Sequence, residues 1–497
     1  MVIKLPAWFF DNTVNPKEHE SVIHVGAKVF GVCFLGTLCL TAYSPVVNLA
    51  AFGAIVLVFL NTLLKKDNFS LLIQLFFANH YVFGNDKGGV FNIAALLALG
   101  FFGLSGHQVF KGTSSFSRSF KGLLLILFAF QLLSLTANVH ASILGKLGGL
   151  MSFSGIILLI YQLSKIPVRK SDIIRFVTIL FFFSMFELVV SLNQKYGLIG
   201  LSTPLLPMEK NIEYENDIFR CVGTFVNFEA YAEYSLSMVA LLLPGIISGS
   251  FREVSKKFYY MTVGITIMSV LSIILTVTRS SLFLLPFVIL VILLSQYKRM
   301  KLKAIVPYLL IIALGVGINF KIKIFDISSF IERSQEMKIK SVSDVASGNE
   351  ISRGGLFAYA FEKIKRSKGL IGEGYFAHPD DYNTAHFGVP NPPIGDYHNL
   401  YLSIAVFWGI PGAVAFILIF ILTIYRGIIA RRIKNIAPFD ADLLLGFTTL
   451  FLFFLLNQYK IIFLRESNYT VVILILLVIY NGIIRKVKSP DLELIIK

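Results

Sequence analysis

The sequence predicts an all-α polytopic membrane protein, and three bulk observations support this fold class. The chain has 497 residues, of which 56% are hydrophobic and 15% are charged, and its mean hydropathy is +0.74. An ordinary soluble domain has roughly 25% charged residues. Apolar runs recur along nearly the whole chain, with one large interruption at residues 321–397. We therefore predict a single integral membrane domain over residues 1–497.

The number of spans follows from the lengths of the apolar runs. A helix needs roughly 20 apolar residues to cross the hydrocarbon layer, and about 14 segments meet this need. We divide them into N-terminal helices (22–192), central helices (220–320) and C-terminal helices (398–484), with residues 321–397 as one large loop. The segments are centred near residues 32, 56, 76, 97, 128, 156, 182, 238, 267, 289, 311, 416, 453 and 474.

The positions of the cations predict the orientation of the spans. Lys and Arg recur in every second connection, which is typical of cytoplasmic loops. This alternation predicts that both termini are cytoplasmic and that the large loop lies on the outer face. The formal net charge of +16 is therefore a sign of membrane topology, because the cations form small clusters between spans and no continuous basic face for nucleic acid. The three cysteines show no paired spacing, so neither a disulfide framework nor a zinc site is indicated.

Three arginines stand on the predicted outer face, where the orientation rule predicts few cations. Arg220, Arg279 and Arg353 each lie at or near the edge of an apolar segment, and His398-Asn399 begins the segment after the large loop. Any one of these arginines alone is explained by snorkelling or by a nearby acid. Three together favour a shared anionic ligand. A diphosphate is the obvious candidate, because guanidinium groups match phosphate oxygens in a bidentate way.

Four motifs resemble those of the O-antigen ligase and polymerase superfamily of bacterial polysaccharide assembly. The first is "RCVGTFVNFEAYAEY", in which Arg220, Gly223, Thr224, Phe225 and Asn227 match and Phe228 and Glu229 depart from the usual Pro-Asn. "TVTRSSLFLLP" resembles the Ser/Thr-Arg-Ser hairpin, and we predict that residues 258–296 form two helices that turn near Arg279. His398-Asn399 followed by Gly-Ile-Pro-Gly at 409–412 resembles the histidine signature at the end of the large loop.

The remaining motif is "SRGGLFAYAFEKIKRSKGLIGEGYF", which resembles a loop helix headed by an arginine and ended by Gly-x-Gly at 372–374. Its apolar residues recur at helical spacing. We predict that this apolar face lies against the outer membrane interface or the bundle and places Arg353 over the site. The face consists of Leu356, Phe357, Ala360, Phe361 and Ile364.

The resemblance implies an all-helical membrane glycosyltransferase of the GT-C type with one large periplasmic loop. Members transfer a glycan from an undecaprenyl diphosphate carrier to an acceptor hydroxyl, in the bacterial inner membrane with the site facing the periplasm. The implied partners are this donor, an acceptor glycan (a lipid-linked repeat unit or lipid A core) and membrane lipids, and a chain-length regulator protein is a further candidate. No metal ion and no cofactor are implied, and no nucleic acid is expected.

The resemblance also implies roles for individual residues. Arg220, Arg279 and Arg353 would bind the diphosphate and stabilise its charge as it leaves. His398 would act as the general base, because an imidazole with an unperturbed pKa near 6.5 can accept a proton at neutral pH. The structural alternative is that His398 is a helix N-terminal residue hydrogen-bonded at the interface.

Four neighbours are candidates for positioning the substrate or acceptor. Asn399 could orient the acceptor, Asp396 could hold the imidazole in one tautomer, and Tyr397 could stack on a sugar ring. Asn227 is the fourth. Residues 378–386, "HPDDYNTAH", contain carboxylates and imidazoles, but their spacing matches no metal site, and a solvated loop is the simpler interpretation.

Two activities and one different class of protein remain open. We favour a polymerase that joins lipid-linked repeat units, since ligases of this family tend to have fewer spans. A ligase that transfers the finished glycan to lipid A core, or to protein, is the alternative. A lipid-linked oligosaccharide flippase or another transporter would be expected to show internal repeats with broken helices, and the sequence shows no second copy of the His-Asn or Thr-Arg-Ser stretch.

Overall fold

A computed structural model describes residues 16–41, 45–64, 68–80, 113–137, 155–197, 220–225, 228–297, 353–372, 399–459 and 467–488. Within these ranges the chain forms α-helices and no strand. The described helices, numbered in chain order, are α1 (Pro16–Thr41), α2 (Pro45–Leu64), α3 (Asn68–His80), α4 (Arg118–Ala137), α5 (Gly155–Leu163), α6 (Lys170–Tyr196), α7 (Phe228–Ser248), α8 (Ser250–Val254), α9 (Lys256–Thr276), α10 (Arg279–Gln296), α11 (Arg353–Arg366), α12 (Leu400–Arg431), α13 (Pro438–Asn457) and α14 (Ser467–Lys488).

Eight of the described helices are long and apolar enough to cross a membrane, namely α2, α4, α6, α7, α9, α12, α13 and α14. Shorter apolar stretches occur in α1, α3 and α10. The chain is therefore a multi-pass, all-helical membrane protein in its described parts. All the predicted segment centres lie in described helices except those near residues 97 and 311, which lie outside the described residues. The total of about 14 spans stays a prediction.

The centre of the bundle is α7. Nearly every residue from Phe228 to Ile247 is buried, because α7 packs against α9, α10 and α13. A helix that is apolar on all sides is expected in such an interior position. Around this centre, α6 packs on α9, α12 packs on α4 and α13, and α14 packs on α3. The first residue of α7 lies three positions after the end of the described segment 220–225, so the core helix closely follows the Arg220 motif.

One end of the bundle collects the cations. Asp442, near the start of α13, accepts hydrogen bonds at 2.5 Å from Ser248, the last residue of α7, and from Gln296 at the end of α10. At the same place Lys486 of α14 forms an ion pair with Asp440 at 3.2 Å. Lys170 at the start of α6 lies 5.3 Å from the ring centroid of Phe439, beside Asp440, and Arg485 of α14 donates to Thr113, just before α4. These cation clusters therefore lie at one end, which we name the basic end. That it faces the cytoplasm stays a prediction.

The predicted turn near Arg279 is confirmed. Helix α9 ends at Thr276, and α10 begins at Arg279. Val277 between them has a φ of 49°, the left-handed conformation that closes the C-terminus of α9. The two helices are thus joined by a tight turn, which lies opposite the basic end, and both pack on α7.

Candidate functional site

The Arg220 side chain is buried at the end of the bundle opposite the basic end. Only 8% of Arg220 is exposed, and its guanidinium carbon lies 4.5 Å from the ring centroid of Phe228, the first residue of α7. This is a cation–π contact, which holds the charge of the arginine against the helix start. The next residue, Cys221, donates its backbone N–H to the carbonyl of Leu275 in α9 at 3.2 Å. Arg220 therefore lies between the start of α7 and the end of α9.

The segment that carries Arg220 is held in place by side chains of α6. The Glu187 carboxylate accepts the backbone N–H of Thr224 at 2.6 Å and its hydroxyl at 2.8 Å. The Gln194 side chain accepts the N–H of Val222 (3.2 Å) and the N–H of Gly223 (3.0 Å), and donates to the Gly223 carbonyl at 2.8 Å. These bonds satisfy backbone groups that a loop within an apolar bundle would otherwise leave unpaired.

Gly223 is required by both conformation and space. Its φ is +59°, and an added Cβ would overlap the Glu187 carboxylate. On the other side of the segment, the Phe225 ring contacts the rings of Tyr231 and Tyr234 with centroids 5.2 Å apart, and the ring of Tyr469 at 6.2 Å. The motif residues Gly223, Thr224 and Phe225 thus have a structural account, which is to fix the backbone of residues 220–225.

Burial also determines the protonation state of Cys221, the cysteine in this segment. The thiol of Cys221 is buried and lies 3.2 Å from the Ser191 carbonyl, to which it donates. Burial raises the pKa of this thiol to about 12. The thiol therefore stays protonated at neutral pH, and it is neither a nucleophile nor a metal ligand in this state.

The turn before Arg279 lies against the start of α7. The Thr278 hydroxyl is 3.5 Å from the Phe228 carbonyl, and Thr278 is the N-cap residue of α10. Arg279 is the first residue of that helix, and its side chain lies outside the described residues. The beginnings of α7 and α10 are therefore neighbours, which brings the Arg279 backbone close to the Arg220 segment.

A buried carboxylate joins α7 to two other helices at this end. Glu233 of α7, which is 1% exposed, accepts hydrogen bonds from Asn457, from Gln458 at 2.8 and 2.9 Å, and from the Tyr469 hydroxyl at 3.0 Å. The carbonyl of Gln458 in turn accepts the N–H of Leu400, the first residue of α12, at 3.0 Å. The start of α12 is thus connected to α7 through Gln458.

Asn399 caps α12. Its side-chain oxygen accepts the backbone N–H of Leu402 at 3.1 Å, and the residue is 4% exposed. An asparagine in the N-cap position commonly accepts such a hydrogen bond. The prediction that Asn399 orients the acceptor is untested, and its oxygen already has a partner within the fold. His398 precedes this cap and lies outside the described residues, as do Asp396, Tyr397 and Asn227.

Helix α11 confirms the predicted helix that Arg353 begins, but it ends at Arg366, before the Gly-x-Gly at 372–374 that was predicted to end it, because Lys368 and Gly369 have positive φ. Its Phe357 ring contacts Tyr459, just after α13, with centroids 6.2 Å apart, and Ala360 is fully buried. Phe361, which was predicted on the same apolar face, is 60% exposed. Phe361 is thus not packed on the bundle, and its contact with the membrane interface stays a prediction. The Arg353 side chain lies outside the described residues.

The segment that follows α11 docks on a break in α12. Gly409 within α12 has φ 73° and ψ 169°, which is not helical, and Ile410 donates its N–H to the Gly369 carbonyl at 2.9 Å. A Cβ on Gly409 would lie 2.5 Å from the Leu370 carbonyl oxygen, and one on Gly372 would overlap the Phe407 backbone. The Gly-Ile-Pro-Gly stretch and the loop helix, separate motifs in the sequence, form one contact.

The contacts described above connect the starts of four helices at one end of the bundle, which we name the site end. These starts are Phe228 of α7, Arg279 of α10, Arg353 of α11 and Leu400 of α12. The helix N-terminus carries partial positive charge, so several of them together favour an anion. The metal possibility raised for residues 378–386 lies outside the described residues.

Comparison with known families gives one match. Residues 264–417, roughly a third of the chain, match the family model described as O-antigen ligase. Over this segment the chain is similar to the O-antigen ligase and polymerase superfamily. The matched O-antigen ligase segment contains Arg279, Arg353 and His398, and Arg220 lies outside it. Proteins of this superfamily are glycosyltransferase-like enzymes that process lipid-linked glycans at membranes. No curated protein sequence matches the chain.

Sequence reasoning missed the buried polar side chains that shape the site end, which are Glu187, Gln194 and Glu233. A signal for the two acids was present, because an ionisable residue inside an apolar segment is a functional-site hypothesis by default. Both Glu187 and Glu233 interrupt apolar runs of the sequence. Their partners lie 37 and at least 224 residues away along the chain, so spacing alone gave no indication of them.

Proposed function

We propose that this protein is an inner-membrane glycosyltransferase that polymerises undecaprenyl-diphosphate-linked repeat units at the site end, on the periplasmic side. One observation carries the proposal. The starts of α10, α11 and α12, which the family motifs mark by Arg279, Arg353 and the neighbouring His398, lie at the same end of the bundle as the buried Arg220. Cations and helix N-termini in one place are suited to a diphosphate.

The proposed reaction needs charge stabilisation more than a strong acid. The acceptor hydroxyl oxygen attacks the anomeric carbon, the bond from that carbon to the diphosphate oxygen breaks, and the diphosphate leaves as an anion. His398 takes the hydroxyl proton as attack develops. Arg220, Arg279 and Arg353 stabilise the negative charge that accumulates on the leaving group. Asn399, Asp396, Tyr397 and Asn227 are proposed to position the reacting groups.

A ligase is the second candidate, because the matching family model is described as O-antigen ligase. In that case the acceptor is the hydroxyl of a lipid A core, or of a protein, in place of a second repeat unit. The preference for a polymerase comes from the predicted number of spans. The two activities share the donor and the proposed chemistry at the anomeric carbon, so the acceptor alone distinguishes them.

The deciding experiment supplies the purified protein with synthetic lipid-linked repeat units, first alone and then with a lipid A core acceptor. A ladder of products without an added acceptor supports the polymerase. A single transfer event that requires the core acceptor supports the ligase. Movement of the lipid-linked substrate across proteoliposomes without any bond cleavage would instead indicate a flippase and contradict both candidates.

A further inference from the structure

A cavity of about 340 Å³ lies at the basic end, at the far end of the bundle from the candidate site. The ends of α10 and α12 form its walls, and α13, on which both helices pack, supplies the remaining surface. The residues that give the cavity its chemical character are Gln296 of α10, Arg431 and Arg432 of α12, and Thr448 of α13. None of these residues belongs to the proposed transfer site.

The two arginines make the cavity suited to a phosphate. Arg431 is half-buried and donates a hydrogen bond to the Ser295 carbonyl at 3.3 Å. This bond holds the Arg431 side chain across the opening of the cavity, between α12 and α10. Arg432 is exposed, and its guanidinium has no hydrogen-bond or ion-pair partner in the part of the chain that the structure describes. Guanidinium groups match phosphate oxygens, and basic pockets between membrane helices bind lipid headgroups.

A buried acceptor in the cavity wall indicates what the ligand carries besides phosphate. Gln296 is 1% exposed, and its amide nitrogen donates to Asp442 at 2.5 Å. Because a carboxylate only accepts, this bond fixes which way the amide is turned. The Gln296 oxygen is buried and has no donor among the described residues. A buried acceptor without a donor costs free energy, so a hydroxyl on the ligand would be favoured here.

Two exposed apolar stripes lead to this cavity along the membrane-spanning helices. In each stripe the apolar residues are three or four positions apart, so they lie on one face of the helix. The stripe on α10 ends at Tyr297 and the stripe on α12 ends at Ile428, and both residues line the cavity. An anion without acyl chains would not contact these apolar stripes. The stripe on α10 is Phe283, Phe287, Leu290 and Leu294, and the stripe on α12 is Val414, Leu418, Ile421 and Tyr425.

We propose that the cavity binds the headgroup of an anionic glycerophospholipid that carries a hydroxyl beyond its phosphate. The phosphate lies between Arg431 and Arg432, the headgroup hydroxyl donates to the Gln296 oxygen, and the acyl chains follow the two apolar stripes. Two guanidinium groups disfavour a headgroup that bears an ammonium ion, because like charges repel. The lipid is thus a structural ligand at the basic end.

The test titrates the full-length protein in a neutral detergent with phosphatidylglycerol and measures binding by native mass spectrometry and thermal shift. Phosphatidic acid, phosphatidylethanolamine and inorganic phosphate are titrated in parallel. The pocket variant is Arg431→Gln/Arg432→Gln. The matched control is Arg252→Gln/Lys434→Gln, which removes the same charge from exposed residues of the basic end. Arg432→Gln alone is the milder variant, to be used if the double pocket variant does not fold.

Phosphatidylglycerol is expected to bind more tightly than the other three probes. The double pocket variant should bind it roughly 30-fold more weakly, since each basic residue near a lipid headgroup contributes about fivefold. The single variant should lose about fivefold, and the control should bind like the parent chain. Equal losses in pocket and control variants, a preference for phosphatidylethanolamine, or equal stabilisation by inorganic phosphate would overturn the proposal. Equal binding of phosphatidic acid would overturn the role of the Gln296 oxygen. No transfer activity is measured, so failure here leaves the proposed glycosyltransferase unaffected.

Discussion

The Glu187 carboxylate accepts two hydrogen bonds from Thr224, one from the backbone N–H at 2.6 Å and one from the hydroxyl at 2.8 Å. An acid of helix α6 therefore holds the segment that carries Arg220. The acid is itself 2% exposed and has two donors, which is the usual way in which a membrane interior accommodates such a group. The position of the Arg220 guanidinium thus depends on a residue that need not touch the substrate.

Gly223→Ala should disrupt this segment, because the added methyl group overlaps the Glu187 carboxylate in addition to the strain at φ +59°. Gly197→Ala is the matched control, with φ +63° and open space around its Cβ position. We expect about 1–2 kcal/mol of backbone strain in both variants and a further loss in Gly223→Ala alone. Thermal unfolding and donor binding measure the two effects. Equal behaviour of the two variants would show that the Glu187 contact is dispensable.

Gly409→Ala should separate α11 from α12. The new Cβ would meet the Leu370 carbonyl oxygen at 2.5 Å, and φ of 73° disfavours any L-residue. We expect transfer activity to fall at least tenfold, because a shift in the Arg353 helix misplaces groups in the site. Gly122→Ala in α4, with nothing within 4 Å of its Cβ position, is the control and should keep full activity. Normal turnover by Gly409→Ala would mean that the docking of α11 is not needed for transfer.

Glu233→Leu should lower stability strongly. The substitution leaves Asn457, Gln458 and Tyr469 without their common acceptor, and each stranded buried donor costs about 1–3 kcal/mol. We expect a total loss of about 3 kcal/mol or more, seen as a lower unfolding temperature in detergent. Glu253→Leu, at an exposed position of α8, is the control. If both variants unfold at the same temperature, the three bonds to Glu233 do not stabilise the fold.

His398→Ala should abolish glycan transfer while the lipid-linked donor still binds, because the variant lacks the base and keeps the three arginines. Arg279→Ala and Arg353→Ala should instead weaken donor binding by about tenfold or more, since a charge-assisted contact to phosphate contributes about 1.5–3 kcal/mol. Binding of a labelled diphosphate lipid and single-turnover transfer separate the two outcomes. Near-normal turnover by His398→Ala would exclude its role as the base, and unchanged affinity in both arginine variants would remove the electrostatic argument.

The helices could be predicted from the sequence because hydropathy and helical periodicity are local properties. The turn at Arg279, the helix that Arg353 begins and the gathering of cations at one end are all present in the structure. Phe361 on the apolar face of α11 is exposed and not packed on the bundle, because burial depends on which neighbour covers the helix. The total number of spans needs residues beyond those the structure describes.

The candidate site could be predicted only in part. The order of the motifs predicted that Arg220, Arg279, Arg353 and His398 belong together, and this grouping of side chains stays a prediction. The structure describes only the helix starts that follow or contain them, which lie at one end of the bundle. The capping bond of Asn399 was not predicted, because it depends on where α12 begins. The hydrogen bonds that hold residues 220–225 in place were not predicted either. Glu187 and Gln194 bind backbone groups, and backbone groups produce no pattern in the sequence.

The break at Gly409 divides α12 into two segments whose lengths are constrained by different parts of the structure. Residues 410–431 alone would extend about 33 Å, which is enough to cross the hydrocarbon layer. Residues 400–408 are therefore not needed to span the bilayer. Bilayer thickness constrains the length of the second segment, whereas the length of the first is constrained by the distance from the break to His398. A one-turn insertion after Gly412 would thus be absorbed by tilt, and one before Gly409 would displace the histidine.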